Sequence, residues 1–214
     1  MVVSACCAPR YRKVFSKRLA RRDARRYRRR GLDSTAQLIV DGLAERGVSD
    51  ATVLEVGGGV GAIDIELLKA GAREATVVEL SEEYDGEAAQ LLAENGLQSR
   101  VARRHGDFVE LERDVDAADV VVMHRVVCCY PDPESLVGAA GLHARRLLAL
   151  SFPRDNWWVR VGWYVVDAWF RLVYRFESFV HPHERILAAA AGVGFTPVHE
   201  HSGPLWHVAV FERR

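Results

Sequence analysis

No stretch of this sequence is apolar for long enough to cross a bilayer. The nearest approach, residues 157 to 176, is interrupted by Arg160, Asp167, Arg171 and Arg175, too many charges for a membrane-spanning helix. No export signal is expected either. The apolar start, Met1 to Ala8, is short and runs into arginines, and the pairs Arg21-Arg22 and Arg25-Arg26 have no apolar region behind them. The expected location is the cytoplasm, with contact at a membrane surface left open. Cysteine is scarce: Cys6-Cys7 and Cys128-Cys129 are the only four. Adjacent pairs are neither a disulfide framework nor a C-x-x-C zinc site, so no metal is expected. Net charge is also zero, yet this balance hides a strong asymmetry. Residues 10 to 30 hold twelve Lys or Arg against the single acid Asp23, and the remaining chain carries 17 bases against 28 acids. Such an arm either caps a pocket as a solvated basic helix or meets RNA, an acidic protein or an anionic lipid surface.

What is present is concentrated first in residues 53 to 61, Val-Leu-Glu-Val-Gly-Gly-Gly-Val-Gly. A short apolar run entering glycines describes a buried strand that ends in a tight turn without Cβ atoms. Such a turn lets backbone N–H groups approach a nucleotide-like ligand. A second apolar run, Ala75 to Val78, ends in Glu79 followed by Leu80. An acid about 20 residues past the glycines can accept hydrogen bonds from two ribose hydroxyls. The loop alone does not identify the ligand, because Gly57, Gly59 and Ala62 also satisfy the dinucleotide pattern.

Around this core the pattern alternates strand and helix. Strands are expected at Thr52 to Val56, Ala75 to Glu79, Val101 to Arg104, Asp119 to Met123 and Arg146 to Ser151. Helices are expected at about 61 to 70, 85 to 94, 133 to 143 and 183 to 191, with a final pair of strands, Phe195 to Glu200 and Trp206 to Phe211, joined by a short turn. Alternation of this kind implies an α/β, doubly wound, mostly parallel sheet with helices on both faces, closed by an antiparallel hairpin. A basic helix over 10 to 30 and a second helix over 34 to 46, capped by Asp33 or Ser34, precede it. The expected organisation is therefore an arm over 1–31 and one domain over 32–214, interrupted by an aromatic insert at about 153–181.

Three features separate the possible ligands. Glu55 stands two residues before the first glycine, giving E-x-G-x-G-x-G; His105-Gly106-Asp107-Phe108 follows the third strand; and about 50 residues of helical character precede the first. With these the chain resembles the class I S-adenosylmethionine-dependent methyltransferases. The resemblance implies S-adenosylmethionine as cofactor and S-adenosylhomocysteine as product. It places Glu55, Gly57, Gly59 and Gly61 at the methionine end, Glu79 and Leu80 at the ribose, Asp107 at the adenine amine and Phe108 beside the ring. His124-Arg125-Val126, then Tyr130-Pro131 and Ser151-Phe152, are similar to the corresponding segments of the magnesium-protoporphyrin O-methyltransferases and their bacterial relatives, over roughly residues 35 to 214. Cys128-Cys129 and the arginine-rich start depart from that pattern. The motifs of enzymes that methylate amino groups of DNA bases, or carbon 5 of cytosine, do not occur.

The implied reaction is methyl transfer to an oxygen, a carboxylate or a phenol, on a hydrophobic aromatic small molecule. His124, with an ordinary pKa near 6.5, is the candidate general base. Arg125 either pairs with an anionic acceptor or anchors a nearby acid. Tyr11, Tyr130, Trp157, Trp158 and His181 are the remaining candidates for acceptor contact. The insert holds four of the five tryptophans; it is a lid over the acceptor, a core or dimer surface, or a helix lying on a membrane interface. RNA methylation guided by the arm and a non-catalytic cofactor-binding module are the alternatives.

Overall fold

A computed structural model describes residues 11–214. Residues 1–10 of the expected arm, Cys6 and Cys7 among them, lie outside the described residues.

Residues 11–14 form one helical turn, followed by α1, Lys17–Arg30. The uninterrupted helix expected over 10 to 30 is therefore corrected to two pieces. Ser16 is extended at φ −94°, ψ 165°. The Phe15 carbonyl accepts a hydrogen bond from the Ser81 hydroxyl, 2.8 Å away, and the break turns this carbonyl toward the sheet. Gly31, at φ 69°, ends α1. Helix α2, Ser34–Glu45, follows, and Asp33 caps it by accepting from the N–H groups of Thr35 and Ala36.

The core runs β1 (Thr52–Val56), α3 (Ala62–Lys69), β2 (Glu74–Glu79), α4 (Asp85–Glu94), β3 (Val101–His105), α5 (Phe108–Leu111), β4 (Ala118–His124), α6 (Pro133–His143) and β5 (Ala144–Pro153). Helices α7 (Trp157–Tyr174) and α8 (His183–Gly192) precede β6 (Phe195–Ser202) and β7 (Trp206–Arg213). The strands order as β3-β2-β1-β4-β5-β7-β6 in one sheet. β1 to β5 are parallel, and β7 runs antiparallel to both β5 and β6. This is the doubly wound sheet with a closing hairpin that the alternation implied.

Alternate side chains explain why β4 has hardly a polar atom. Val120 and Val122 join the core formed with α1 to α4, whereas Val121 and Met123 join the core formed with α6 and α8. A strand covered on both faces has no solvated side to mark with polar residues. Helix α1 joins the first core through Ala20 and Ala24, both fully buried, so small side chains bring its backbone close. The larger apolar side chains of the helix, Leu19 and Tyr27, only flank this contact.

Candidate active site

The carboxyl ends of parallel strands are where a doubly wound sheet binds its ligands. Two adjoining cavities, of about 290 and 370 Å³, open there and share Tyr11, Gly57 and Val126. The smaller holds Leu80, Asp107, Phe108 and Tyr130; the larger holds Glu55, Gly59, Glu79, His124 and Arg125.

The turn after β1 is built for close approach. Gly57, Gly59 and Gly61 have φ of 72°, 53° and 76°, a region that side chains with a Cβ rarely adopt. A Cβ at Gly57 would stand 2.5 Å from Val126 Cγ2, and one at Gly58 would stand 2.8 Å from Glu55 Oε2. Gly61 does not line either cavity; it is the N-cap of α3. Arg103 ties the loop down by donating to the Gly59 carbonyl (3.0 Å) while its Nε pairs with Asp85 (3.1 Å).

Glu79 accepts from the N–H of Gly59 and from that of Ser81, each at 2.9 Å. One carboxylate so aligns the glycine loop and keeps lone pairs for a ribose. Glu55 is buried, and its Oε2 has no hydrogen-bond partner. Burial, followed by the Asp64 carboxyl, pushes its pKa well above the usual carboxylate range. An unsatisfied carboxyl oxygen in a cavity wall is costly unless a ligand completes it, and an ammonium group would do so. Asp107 caps α5 by accepting from Val109 N–H (3.0 Å). Its pKa is raised, chiefly by burial. Phe108 is buried edge-on to His143. The residues present therefore fit a ligand with a cationic amino acid end, a ribose and an adenine.

His124 ends β4 and lines the larger cavity. Its Nε2 is buried without a hydrogen bond; Asp33 Oδ1 is 3.9 Å away. Burial first, then the Arg125 charge, lowers its pKa to about 4 against the pull of Asp33, so the ring is neutral at pH 7. Arg125 has φ 59°, strained for a residue with a side chain, and its N–H is held by the Ser151 hydroxyl at 3.0 Å. The Arg125 guanidinium donates to Asp33 (3.1 Å) and Thr35 (3.3 Å) and lies over the Trp206 ring. For Asp33, burial raises the pKa, but His124, Arg125 and the two capping N–H groups outweigh this and hold it low.

Tyr11 borders both cavities, stacked on Phe15 at 4.1 Å and tilted against Phe176 at 6.0 Å. His181 is buried; it stacks on Phe179 and its Nε2 bonds the Tyr130 carbonyl at 2.8 Å. With the bond from Phe179 N–H to the Cys128 carbonyl (2.7 Å), it fastens the return from α7 onto the loop after β4. Trp157 and Trp158 line neither cavity and are 76% and 41% exposed. Sequence reasoning did not place Phe179, Val126 or Cys129 in a cavity wall, nor Arg22, Asp23 and Arg26 of α1. No periodicity signals these contacts; they arise where distant segments converge.

Fold and site together define a class I S-adenosylmethionine-dependent methyltransferase. Residues 53–148 match the methyltransferase domain family. No curated protein matches the sequence. Among solved structures, the chain is similar to magnesium protoporphyrin IX methyltransferase from Synechocystis PCC 6803. With bound S-adenosylhomocysteine, that protein gives a TM-score of 0.69 at 20% identity over 99% of this chain and 96% of that one. With bound S-adenosylmethionine, the TM-score is 0.67 at 19% identity over 99% and 93%. An O-methyltransferase family protein from Burkholderia thailandensis gives 0.65 at 20% identity over 83% and 56%. A ribosomal protein L11 methylase from Lactobacillus delbrueckii subsp. bulgaricus gives 0.61 at 18% identity over 86% and 81%. At these identities the likeness concerns the fold and leaves the acceptor undetermined.

Proposed function

We propose that the enzyme methylates an oxygen of a hydrophobic aromatic small molecule, with a carboxylate favoured over a phenol. The observation that carries this reading is the junction of the two cavities. It is walled by Tyr11, Val126 and Gly57, with Phe176 against Tyr11, and the nearby titratable ring, His124, is buried and neutral. S-adenosylmethionine supplies an activated methyl on a sulfonium centre, so the protein mainly aligns the acceptor and excludes water. Glu55 and the glycine turn would hold the methionine end, Glu79 and Leu80 the ribose, Asp107 and Phe108 the adenine. An imidazole with a pKa of about 4 is a weak base for a phenol but a good hydrogen-bonding partner. A carboxylate needs no proton removed at pH 7. Tyr130 and the Tyr11–Phe176 pair supply flat apolar walls for the acceptor.

One observation favours a second reading. Arg22, Arg25, Arg26, Arg29 and Arg30 line a single open groove on α1, and such a surface suits RNA. Under either reading, the described residues 11–31 act as an arm packed on the domain that follows.

The test incubates the enzyme with methyl-labelled S-adenosylmethionine and a cell extract divided into small-molecule, RNA and protein fractions. Label in an organic-extractable molecule, released as methanol by mild base, supports a carboxylate acceptor. Base-stable label there points to a phenol. Label confined to RNA overturns the proposal in favour of the arginine groove.

A further inference from the structure

Helix α7 is 18 residues long, and its outer face is uncovered. Nine of the eleven large apolar side chains left exposed among the described residues belong to it, including Trp157, Val161, Tyr164, Val165, Trp169 and Leu172. At 3.6 residues per turn they occupy roughly 200° of its circumference. An apolar patch of this continuity on one element marks a contact surface.

The inner face is already satisfied. Val159 is buried, Trp163 donates to the Ser178 hydroxyl at 3.0 Å, and the helix's single acid, Asp167, is buried. Asp167 accepts from Arg171 Nε at 2.6 Å and from Ser178 N–H at 2.7 Å. The exposed arc is consequently free of negative charge, and the chargeable side chains at its edge are basic. Arg160 and Arg175 are exposed and form no ion pair among the described residues.

We propose that the outer face of α7 lies in the interfacial layer of an anionic bilayer. An amphipathic helix with tryptophan and tyrosine on its apolar arc and arginine at the rim matches the chemistry of a headgroup boundary. A second copy of the chain fits less well. A two-fold contact through this arc would set Arg160 toward the basic end of the partner helix, where the one nearby acid, Glu177, is already paired with Arg171 at 3.5 Å. Spanning is excluded as well, since no helix among the described residues is long and apolar enough to cross a membrane. The position of α7 gives the contact a purpose. Arg175 and Phe176, which follow the helix directly, line the cavity beside Tyr11, so a bilayer-dissolved acceptor has a short path to the site.

The experiment uses the full chain saturated with S-adenosylhomocysteine, floated with vesicles of phosphatidylcholine alone or with one quarter phosphatidylglycerol. Flotation with the anionic vesicles is expected, with a blue shift of tryptophan emission and quenching by brominated acyl chains. The double variant Val165→Glu with Leu172→Glu alters two exposed side chains outside both cavities. It is expected to bind S-adenosylhomocysteine normally and to lose about tenfold or more in vesicle partition. Three results would each overturn the proposal: no flotation with either vesicle, flotation that the double variant leaves unchanged, or a dimer in solution that the double variant dissociates. The cofactor-binding control keeps failure here distinct from failure of the acceptor assignment.

Discussion

Gly57 is glycine for two independent reasons: its φ of 72° and the 2.5 Å approach of Val126 Cγ2 to any added Cβ. Backbone strain of this kind is worth on the order of 1–3 kcal/mol. Gly57→Ala should therefore weaken S-adenosylhomocysteine binding about tenfold or more in calorimetric titration. Unchanged affinity would detach the glycine turn from cofactor binding. His124 makes a prediction about pH. Its folded pKa of about 4 lies below the ordinary 6.5, so between these values the unfolded chain binds more protons. Stability is then complete above pH 6.5 and falls as pH drops toward 4, by roughly 3 kcal/mol from this group. Urea denaturation of His124→Asn should show a flatter pH dependence over that window; an identical profile would show that the imidazole does not titrate as described. The glycines, Glu79 and Asp107 were legible in the sequence because each takes its position from a few neighbouring residues. The setting of His124 was not, because Asp33 reaches it from the start of another helix.

Asp33 illustrates how one side chain joins elements. It caps α2, receives Arg125 and faces His124. Asp33→Ala removes the cap and strips a half-buried guanidinium of its acid, which should cost roughly 2 kcal/mol or more by chemical denaturation. Asp33→Asn keeps the capping oxygen and should retain most of the helix contribution. Equal losses in the two variants would assign the effect to charge alone. The boundaries of β1, α4 and α6 follow from local pattern, and the structure reproduces those read from sequence. Helix α1 shows where pattern fails. No helix-breaking residue stands near Phe15, yet the helical turn 11–14 ends there and Ser81 takes the Phe15 carbonyl. Two alanines, rather than the larger apolar residues, make the closest contact of α1.

Assembled, the molecule encloses its cavities between the carboxyl edge of the sheet, the arm and the return from α7. Tyr11, Arg22 and Arg26 on one side and Phe176 and Phe179 on the other are wall residues supplied by segments outside the strand–turn–helix units. Cofactor binding should therefore slow amide exchange in residues 11–30 as well as in the glycine turn, while β6 stays unaffected. Exchange that slows in the turn alone would mean the arm does not close on the ligand. A ligand at about one hundred times its dissociation constant adds about 2.7 kcal/mol of stability, so thermal unfolding should also shift upward with S-adenosylhomocysteine.

From the order of residues alone come the doubly wound sheet, the glycine turn and the acids that follow successive strands; the cofactor came with the family resemblance that these residues carry. These depend on periodicity and on backbone conformations that few residue types permit, and both act over short stretches of chain. The walls of the acceptor space, the anchoring of Arg125 to Asp33, the low basicity of His124 and the uncovered face of α7 came from the three-dimensional arrangement. Each depends on which distant segments are brought together and which surfaces they leave bare, and burial is a property of that arrangement rather than of any local pattern.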